Sequence, residues 1–365
     1  MTTNTEKKGR VLVAMSGGVD SAVAAALLVD QGYDVVGITM QVWDYTKNEC
    51  DITEGNGTCC SSTDVDDARA VADKLNIPFY VMNCEAKFQT HVIDDFVNTY
   101  LQGKTPIPCV NCNTFLKFDH LIQKMKELEC DYLATGHYAQ VVPSLKNEGL
   151  AIQTSEDDWK DQTYFLFTLN PQVIPQLLFP VGHLNKDSVR QIAEDRDLIV
   201  ARKKDSTGIC FIGKSGYSQF IESQVGKSQL QPGVLKLYPE GKVLGDHSGI
   251  HNFTYGQRKG LGVSYTEPLY VLKIDPSNND VWLGEESYLY GDRARVKNLS
   301  WLGSVEDGEV LKVKIRFAHR GAEAKLRKIN DDIELEFLEP QRAITPGQAA
   351  VFYRDNQLVG GGWIE

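Results

Sequence analysis

A tight glycine turn after the first apolar run most constrains how this chain can fold. The run Val11 to Ala14 leads into Met15-Ser16-Gly17-Gly18-Val19-Asp20-Ser21, and an alanine-rich stretch, Ala22 to Val29, follows. This order predicts a buried strand, a tight loop and a helix. The glycines let the backbone turn sharply, and the unpaired amides at the helix start favour an anion. The sequence therefore predicts a site for phosphate or pyrophosphate at this loop.

Alternating apolar and amphipathic segments continue through the first half of the chain. Apolar runs at Val35 to Met40, Phe79 to Asn83 and Tyr132 to Thr135 predict three more strands, with helices between them. Such alternation is typical of an α/β doubly wound parallel sheet, which binds its ligand across the carboxyl ends of its strands. Met40 is therefore expected to face a nucleotide.

The pattern changes in the second half of the chain. From about Gly233, short alternating runs and turn residues replace the helices. We expect a catalytic domain at residues 1–224, a small β-rich domain at 225–288, and an antiparallel, barrel-like β domain at 289–365.

Charge and hydropathy argue against several classes of protein. The 365 residues carry a net charge of −11, which disfavours indiscriminate binding of nucleic acid through a basic surface. Every apolar run falls short of the ~20 residues of a membrane span, and Met1 to Arg10 is polar rather than signal-like. We therefore expect a cytoplasmic protein without a membrane partner, whose eight cysteines serve chemistry or metal binding rather than structural disulfides.

Two cysteines in separate segments are candidate catalytic residues. Cys112 lies in the proline-bounded segment Lys104 to Asn113, which is expected to be a loop before a helix, where a helix N-terminus lowers a thiol pKa. Cys210 lies in a second glycine-containing loop, near Lys203 and Lys204 in sequence. Two loop thiols suggest nucleophile and sulfur-carrier chemistry, and the alternative is that neither has a function.

The cysteines also allow metal binding. Cys109 and Cys112 form a Cys-x-x-Cys pair, which is half of a zinc site. With Cys210 they are chemically able to hold a [4Fe-4S] cluster that leaves one iron open to bind sulfide. Of the other cysteines, Cys84 and Cys130 are expected in the core. Cys59 and Cys60 have no assigned role.

Several motifs in fixed order carry a family resemblance. The Ser-Gly-Gly-x-Asp-Ser loop resembles the PP-loop of ATP pyrophosphatases, and it has no Gly-Lys-Ser/Thr ending. Further motifs are Cys112-Asn113, Ala134-Thr135-Gly136-His137-Tyr138-Ala139, Lys160-Asp161-Gln162, Asp205-Ser206-Thr207-Gly208-Ile209-Cys210-Phe211-Ile212 and Thr345-Pro346-Gly347-Gln348. Together they make nearly the whole chain similar to the tRNA-specific 2-thiouridylases.

That resemblance implies an ATP-dependent sulfur transferase that adenylates and thiolates C2 of the wobble uridine in tRNA anticodons. It implies Cys112 as nucleophile and Cys210 as the carrier of a persulfide, loaded by a cysteine desulfurase or a relay protein. Mg²⁺ is expected on the phosphates, with Asp20 nearby. The implied ATP-binding residues are Ala14, Met15, Ser16, Gly17, Gly18, Val19, Asp20, Ser21, Met40 and Gly136, and the implied tRNA-contacting residues are His137, Lys160, Asp161, Gln162, Arg316, Phe317 and Gln348.

The loop beside the target base departs from the family pattern. The family often has Asn-Pro-Asp there, with the aspartate available for acid/base chemistry, whereas this chain has Ile107, Pro108 and Cys109. Either the proton transfer is done otherwise, or Cys109 marks a variant with different sulfur handling.

Two other functions remain open. A PP-loop amidotransferase or ligase acting on a small carboxylate or carbonyl would need neither Cys112 nor Cys210. A non-catalytic RNA-binding protein would keep only a relic of the nucleotide fold.

A locally basic stretch near the C-terminus is the candidate RNA surface. Its cations alternate with apolar residues, so a strand would place them on one face, suited to phosphate contacts. The alternative is an ordinary solvated strand face. The cations are Lys312, Lys314, Arg316, Arg320, Lys325, Arg327 and Lys328, interrupted only by Glu323.

Overall fold

The computed structural model describes residues 8–43, 62–146, 148–205, 208–226 and 229–365. Cys59, Cys60, Ser206 and Thr207 lie outside this part of the chain. The chain divides into two compact units. The first comprises Met1–Val92, Cys109–Gly213 and Asn356–Leu358, and the second comprises Ile93–Pro108, Lys214–Asp355 and Val359–Glu365.

A five-stranded parallel sheet forms the centre of the first unit. The chain first forms β1 (Arg10–Ala14), β2 (Asp34–Gln41), β3 (Phe79–Asn83) and β4 (Tyr132–Thr135). After the hairpin β5 (Ala139–Pro143) and β6 (Leu150–Thr154), the short β7 (Leu177–Leu178) completes the sheet. The strand order is β3-β2-β1-β4-β7. All four predicted strands are present, and the predicted parallel sheet is confirmed.

Eight α-helices lie between and after these strands in the described chain. They are α1 (Val19–Asp30), α2 (Ser62–Leu75), α3 (Glu85–Phe88), α4 (Asp94–Leu101), α5 (Pro108–Asn111), α6 (Leu121–Glu127), α7 (Lys186–Asp195) and α8 (Tyr217–Val225). Two π-helical segments, Gln89–Ile93 and Cys112–His120, continue α3 and α5. Short 3₁₀ turns occur at Thr163–Phe165, Pro171–Gln176, Ile250–Asn252 and Glu286–Leu289.

The core of the first unit explains why the glycine turn sits where it does. Val11, Leu12 and Val13 of β1 are fully buried, as a central parallel strand covered on both faces requires. The buried alanines of α1 let this helix lie close to the sheet, and α7 packs on it with Val189 and Ala193. The loop between β1 and α1 is therefore held by packed elements on both sides.

The second unit is built from β-strands. A four-stranded sheet, in the order β10-β11-β8-β9, contains β8 (Gly233–Leu237), β9 (Val243–His247), β10 (Tyr270–Asp275) and β11 (Asp280–Gly284). Six more strands follow: β12 (Tyr290–Trp301), β13 (Val310–Lys314), β14 (Ala322–Ile329), β15 (Asp332–Arg342), β16 (Ala349–Arg354) and β17 (Gln357–Ile364).

The last six strands close into a barrel, because β12 pairs with both β15 and β17. Closure removes the exposed strand edges that an open sheet would present. Alternate residues such as Val313, Leu335 and Phe352 fill the interior. The predicted barrel-like C-terminal region is confirmed. None of the described helices combines the length and apolar composition that crossing a membrane requires.

Candidate nucleotide and thiol site

The glycine turn forms a compact loop that is braced by its own side chains. The Ser16 backbone N–H donates to Ser21 Oγ at 3.1 Å, and that hydroxyl donates to the Gly18 carbonyl at 3.0 Å. Thr39 on β2 donates its hydroxyl to the Met15 carbonyl. The first amides of α1 are thereby presented at the carboxyl edge of the sheet, where an anion is favoured.

Two glycines are required at this loop for different reasons. Gly17 has φ +72°, and a Cβ there would lie 2.2 Å from the Asp64 carbonyl oxygen. Gly136 directly follows β4, and a Cβ there would lie 2.6 Å from the Ser21 backbone nitrogen. The end of β4 thus lies against the first turn of α1. Met40, half-buried at the end of β2, belongs to the same edge of the sheet, so the structure brings the predicted ATP-binding residues together.

A network of charges connects Asp20 of this loop to α7. Asp20 Oδ1 accepts from the Tyr138 hydroxyl at 2.8 Å and from Lys186 Nζ at 2.7 Å. Lys186 Nζ also lies 2.9 Å from Asp205 Oδ1. Burial and the neighbouring Asp20 carboxylate raise the pKa of Tyr138, so its hydroxyl stays a donor.

Asp205 forms ion pairs with three cationic side chains. Besides Lys186, it accepts from Lys160 Nζ at 2.7 Å and from Arg190 Nη2 at 2.7 Å. Partial burial acts against ionisation, but hydrogen bonds from Lys160 and Lys186 outweigh it and hold the pKa of Asp205 below its usual value. Asp205 is therefore a fixed negative charge at neutral pH.

Lys203 makes a second connection to the loop. Its Nζ donates to the Gly17 carbonyl at 2.9 Å, to Asp64 Oδ1 at 2.6 Å and to Asp67. Partial burial opposes its charge, yet the two carboxylates raise the pKa of Lys203. In this arrangement the lysine serves the nucleotide loop and α2.

The segment around Cys112 is helical, so the expected loop at Lys104 to Asn113 is wrong from Pro108 onward. Pro108 begins α5. Proline suits the first position of a helix because its φ is already helical and because the amide hydrogen that it lacks would have no partner there. Cys112 opens the π-helical segment Cys112–His120 that directly continues α5. The thiol is therefore one turn inside a continuous helical segment, and the expected position at a helix N-terminus is wrong too.

The three residues of the predicted target-base loop differ in exposure. Ile107 and Pro108 are buried, whereas Cys109 is exposed and lies on α5. In the second unit, Gln348 Nε2 donates to the carbonyls of Thr105 at 3.1 Å and of Pro106 at 3.4 Å. Gln348 therefore supports the backbone immediately before Ile107.

The elements that carry the two candidate thiols meet at α3. The ring of Phe211, next to Cys210, packs edge-on against Phe88 of α3 with 5.7 Å between centroids. Cys84, directly before α3, is buried, and its thiol interacts electrostatically with Cys112. Burial, and to a lesser degree Cys112, raises the pKa of Cys84 to about 11, although Lys87 acts in the opposite direction.

Cys112 and Cys210 are both half-buried. The core positions expected for Cys84 and Cys130 are confirmed.

The arrangement of the cysteines does not fit a metal cluster. Cys109, Cys112 and Cys210 are all within the described residues, and across those residues no group of three or more His, Cys, Asp or Glu side chains is placed to hold a metal ion. We therefore derive no step through a [4Fe-4S] cluster.

Like Lys160, Arg316 and Gln348, three further residues predicted to contact tRNA have hydrogen-bond partners within the chain: His137, Asp161 and Gln162. His137 Nδ1 lies 2.7 Å from the Thr135 hydroxyl, and His137 Nε2 lies 3.4 Å from Lys117 Nζ. Asp161 is buried and accepts from the Thr163 hydroxyl, and Gln162 Oε1 accepts from the Tyr138 backbone N–H at 3.0 Å. Gln162 therefore holds the backbone of Tyr138, whose hydroxyl donates to Asp20.

Burial, with a smaller contribution from Lys117, lowers the pKa of His137 well below 6.5. The unfolded chain binds a proton near pH 6.5 while the folded chain does not, so His137 lowers stability as the pH falls below that value. We expect the difference in unfolding free energy between native protein and His137→Gln to change by up to about 1.4 kcal/mol per pH unit below pH 6.5. Urea unfolding at several pH values measures it. A His137→Gln protein whose stability has the same pH dependence as that of the native protein would contradict the prediction.

The basic stretch forms an outward face of the barrel, but it is less uniformly positive than its sequence. On β13 Lys312 is exposed and Lys314 half-buried, while the alternate residue Val313 points inward, as predicted. Neighbouring strands add acids, since Lys312 stands opposite Glu323 and Arg327 lies 3.5 Å from Glu336. Arg316 donates to the Arg342 carbonyl at 3.0 Å, and Phe317 is exposed.

Sequence reasoning missed Lys186, Asp205 and Lys203 as partners of the nucleotide loop. Asp205 carried a weak signal, because it opens the motif that contains Cys210. Lys186 carried none, since it is one lysine at the start of an amphipathic helix. Only the folded chain shows that both contact the Asp20 region.

Comparisons with known proteins agree with this architecture. The family model described as the tRNA methyl transferase HUP domain matches residues 9–214. Those described as the tRNA methyl transferase PRC-barrel domain and the aminomethyltransferase beta-barrel domain match residues 218–285 and 292–364.

Curated relatives match over nearly their full length. A tRNA-specific 2-thiouridylase MnmA from Geotalea uraniireducens is 44% identical over 100% of this chain and 97% of its own. That from Lachnoclostridium phytofermentans is 44% identical over 97% and 99%, and that from Rickettsia typhi is 45% identical over 97% and 98%, respectively. The identities far exceed what a shared fold alone requires, and this chain therefore belongs to the tRNA-specific 2-thiouridylase family.

Proposed function

We propose that this chain is an ATP-dependent tRNA-uridine 2-sulfurtransferase acting on C2 of the wobble uridine in anticodons. The observation that carries the proposal is the 42–45% identity to curated tRNA-specific 2-thiouridylases along the whole chain. The braced loop at Gly17 and Gly18 supports the use of ATP, because its geometry suits pyrophosphate.

Activation of the base is the first step. The C2 oxygen of uridine attacks the α-phosphorus of ATP, the bond to the β-phosphate oxygen breaks, and pyrophosphate leaves. The loop amides that follow Ser16 and those at the start of α1 would hold pyrophosphate, since the Ser16 amide already donates to Ser21 Oγ. Asp20, whose side chain is 31% exposed, offers hard oxygen donors of the kind Mg²⁺ prefers, and Mg²⁺ when bound supplies charge neutralisation on the phosphates.

Sulfur transfer is the second step. The terminal sulfur of a persulfide on Cys210 attacks C2, and AMP leaves with the former C2 oxygen. The Cys112 thiolate then attacks Cys210 Sγ, which releases the sulfur to uridine as the 2-thio group and forms a Cys112–Cys210 disulfide. A dithiol reductant supplies the two electrons that restore both thiols, and a cysteine desulfurase or relay protein reloads Cys210.

Of the three parts of the chain that we propose as domains, residues 1–224, 225–288 and 289–365, the tRNA would contact the first and the last. The half-exposed Lys160, the exposed Phe317 and the cations on β13 are suited to direct contact. The buried His137 and Asp161 are better suited to support the surface from inside. Residues 107–109 would lie beside the target base, and Gln348 supports the backbone that precedes them. Because position 109 is a cysteine and not an aspartate, another group would transfer the proton of the target base.

A thiolation assay under anaerobic conditions, with a thiol reductant present, tests the function. Purified protein, ATP, Mg²⁺ and a persulfide donor are mixed with unmodified tRNA, and 2-thiouridine, AMP and pyrophosphate are quantified. We expect the three products in equal amounts and none of them without tRNA. A small-molecule ligase would release AMP or pyrophosphate without tRNA, and an RNA-binding protein without catalytic activity would bind tRNA and form none of the products.

A further inference from the structure

Cys109 is an exposed cysteine that the proposed reaction leaves without a role. It stands where the family often has an aspartate, and it is the second residue of α5, after Pro108. Cys109 is exposed, whereas Cys112 and Cys210 are half-buried. All three cysteines belong to the first unit. The most accessible of the three is therefore not one of the two that carry out sulfur transfer.

Cys109 and Cys112 lie on one side of a continuous helical segment. They are three residues apart, since Cys112 begins the π-helical segment Cys112–His120 that continues α5. Residues at this spacing are neighbours on a helix surface, and the helical rise and radius place their Cα atoms about 5 Å apart. A disulfide joins residues whose Cα atoms lie roughly 4.4 to 6.8 Å apart. The helical backbone therefore already holds the two cysteines at a separation that a disulfide bridges.

The proposed reaction ends with a disulfide that a protein reductant reaches poorly. Both of its cysteines, Cys112 and Cys210, are half-buried, and access to a sulfur atom limits the rate of thiol–disulfide exchange. A thiol on the same helical segment as Cys112 has the advantage of proximity over any thiol in solution. Attack by Cys109 would therefore move the disulfide from two half-buried cysteines to a pair that includes an exposed one.

We propose that Cys109 is a catalytic residue that resolves the Cys112–Cys210 disulfide after each turnover. This inference rests on the proposed function, which forms that disulfide. The Cys109 thiolate attacks Cys112 Sγ, a Cys109–Cys112 bond forms, and Cys210 leaves as a thiolate that takes up the proton lost by Cys109. A dithiol reductant then attacks Sγ of the exposed Cys109 and supplies the two electrons that restore Cys109 and Cys112. Cys210 is thus free to accept a new persulfide before the reduction is complete.

Oxidation in the absence of tRNA and ATP tests which disulfide the protein holds. The full chain is treated with one equivalent of diamide, the remaining thiols are blocked with N-ethylmaleimide, and the tryptic peptides are analysed by mass spectrometry. Residues 105–117 contain Cys109 and Cys112, and residues 205–214 contain Cys210. In the native protein we expect residues 105–117 as a peptide that lacks two hydrogens, with Cys210 alkylated. In Cys109→Ser we expect the two peptides joined by a disulfide.

Two results of this experiment overturn the proposal. One is a native protein whose two peptides are joined to the same extent as in Cys109→Ser. The other is a Cys109→Ser protein whose peptides stay separate, since there is then no Cys112–Cys210 disulfide to resolve. Because Cys109 is exposed, its replacement by serine leaves the packing of the core intact.

The rate of reduction tests the role of Cys109 as the point of attack. Thioredoxin, its reductase and NADPH reduce the oxidised proteins, and the consumption of NADPH follows the reaction. We expect Cys109→Ser to be reduced at least about tenfold more slowly than the native protein. Cys130→Ala is the matched control, because it removes a buried cysteine of the same unit and should keep the native rate. Equal rates for the native protein and Cys109→Ser overturn the proposal.

Turnover of tRNA separates this inference from the proposed function. With thioredoxin as reductant, the ratio of the steady-state rate to the rate of the first turnover should fall at least about tenfold in Cys109→Ser. A ratio equal to that of the native protein overturns the proposal, since Cys109 then does not act after the first turnover. A native protein that forms no 2-thiouridine would instead contradict the proposed function, and the oxidation experiment, which needs neither tRNA nor ATP, would still report on the exchange between the cysteines.

Discussion

Replacement of Cys210 by alanine should abolish 2-thiouridine formation, by on the order of 10³-fold or more, while tRNA adenylation continues. The physical reason is that, in the proposed mechanism, the nucleotide loop and Cys210 serve separate steps. Adenylation would need the loop amides and Asp20, whereas C2 would receive no sulfur without the persulfide on Cys210. Single-turnover assays measure both steps, with pyrophosphate release reporting adenylation and mass spectrometry of digested tRNA reporting 2-thiouridine.

Cys112→Ala should block the same pathway one step later. Without the second thiol, the C2–S–S–Cys210 bond persists, so a covalent tRNA–protein adduct should accumulate and dissociate on addition of dithiothreitol. Cys130→Ala is the matched control, because it removes a buried thiol in the same unit. Full thiolation by Cys210→Ala, or loss of thiolation together with bound iron in Cys109→Ala, would contradict the persulfide route.

Gly17→Ala should weaken ATP binding about 10- to 100-fold. The new methyl group meets the Asp64 carbonyl oxygen at 2.2 Å, and alanine is disfavoured at φ +72°. The backbone at residue 17 or at Asp64 must move, so the amides proposed to hold pyrophosphate lose their arrangement. Calorimetric titration with ATP, below the melting temperature of the variant, measures the affinity.

Two other glycines separate the causes. Gly32 has φ +85° with no neighbouring atom within 4 Å of an added Cβ, so Gly32→Ala should cost only about 1 kcal/mol of stability and leave ATP affinity unchanged. Gly136→Ala adds a steric conflict with Ser21 and should weaken ATP binding. Equal ATP affinities for the native, Gly17→Ala and Gly136→Ala proteins would show that the loop is not the nucleotide site.

The parallel sheet was predictable because its strands are short apolar runs ended by glycine, proline or polar residues. β3 and β4 have the predicted bounds, and the closed barrel follows from alternating residues in the second half. The helix at Pro108 was not predicted, since two nearby prolines are read as loop residues although one of them is ideal at the first position of a helix.

The site was predictable only where local sequence determines it. The Ser16 to Ser21 loop is braced by residues five positions apart, so its motif contains its own geometry. Lys186 and Asp20 are separated by 166 residues, and no local pattern relates them. The burial of His137 also depends on the packing of distant elements such as Phe118 and Phe179, whose rings lie about 6 Å away.

The high pKa of Cys84 has a consequence for which disulfide the protein forms. Thiol–disulfide exchange requires a thiolate, and a thiol of pKa about 11 is ionised in only on the order of one molecule in 10⁴ at pH 7. Cys112 acts electrostatically on Cys84, yet Cys84 is almost inert as a competing nucleophile. If Cys112 pairs with Cys210 as proposed, the burial of Cys84 therefore acts as a kinetic safeguard, because it slows the formation of a competing Cys84–Cys112 disulfide.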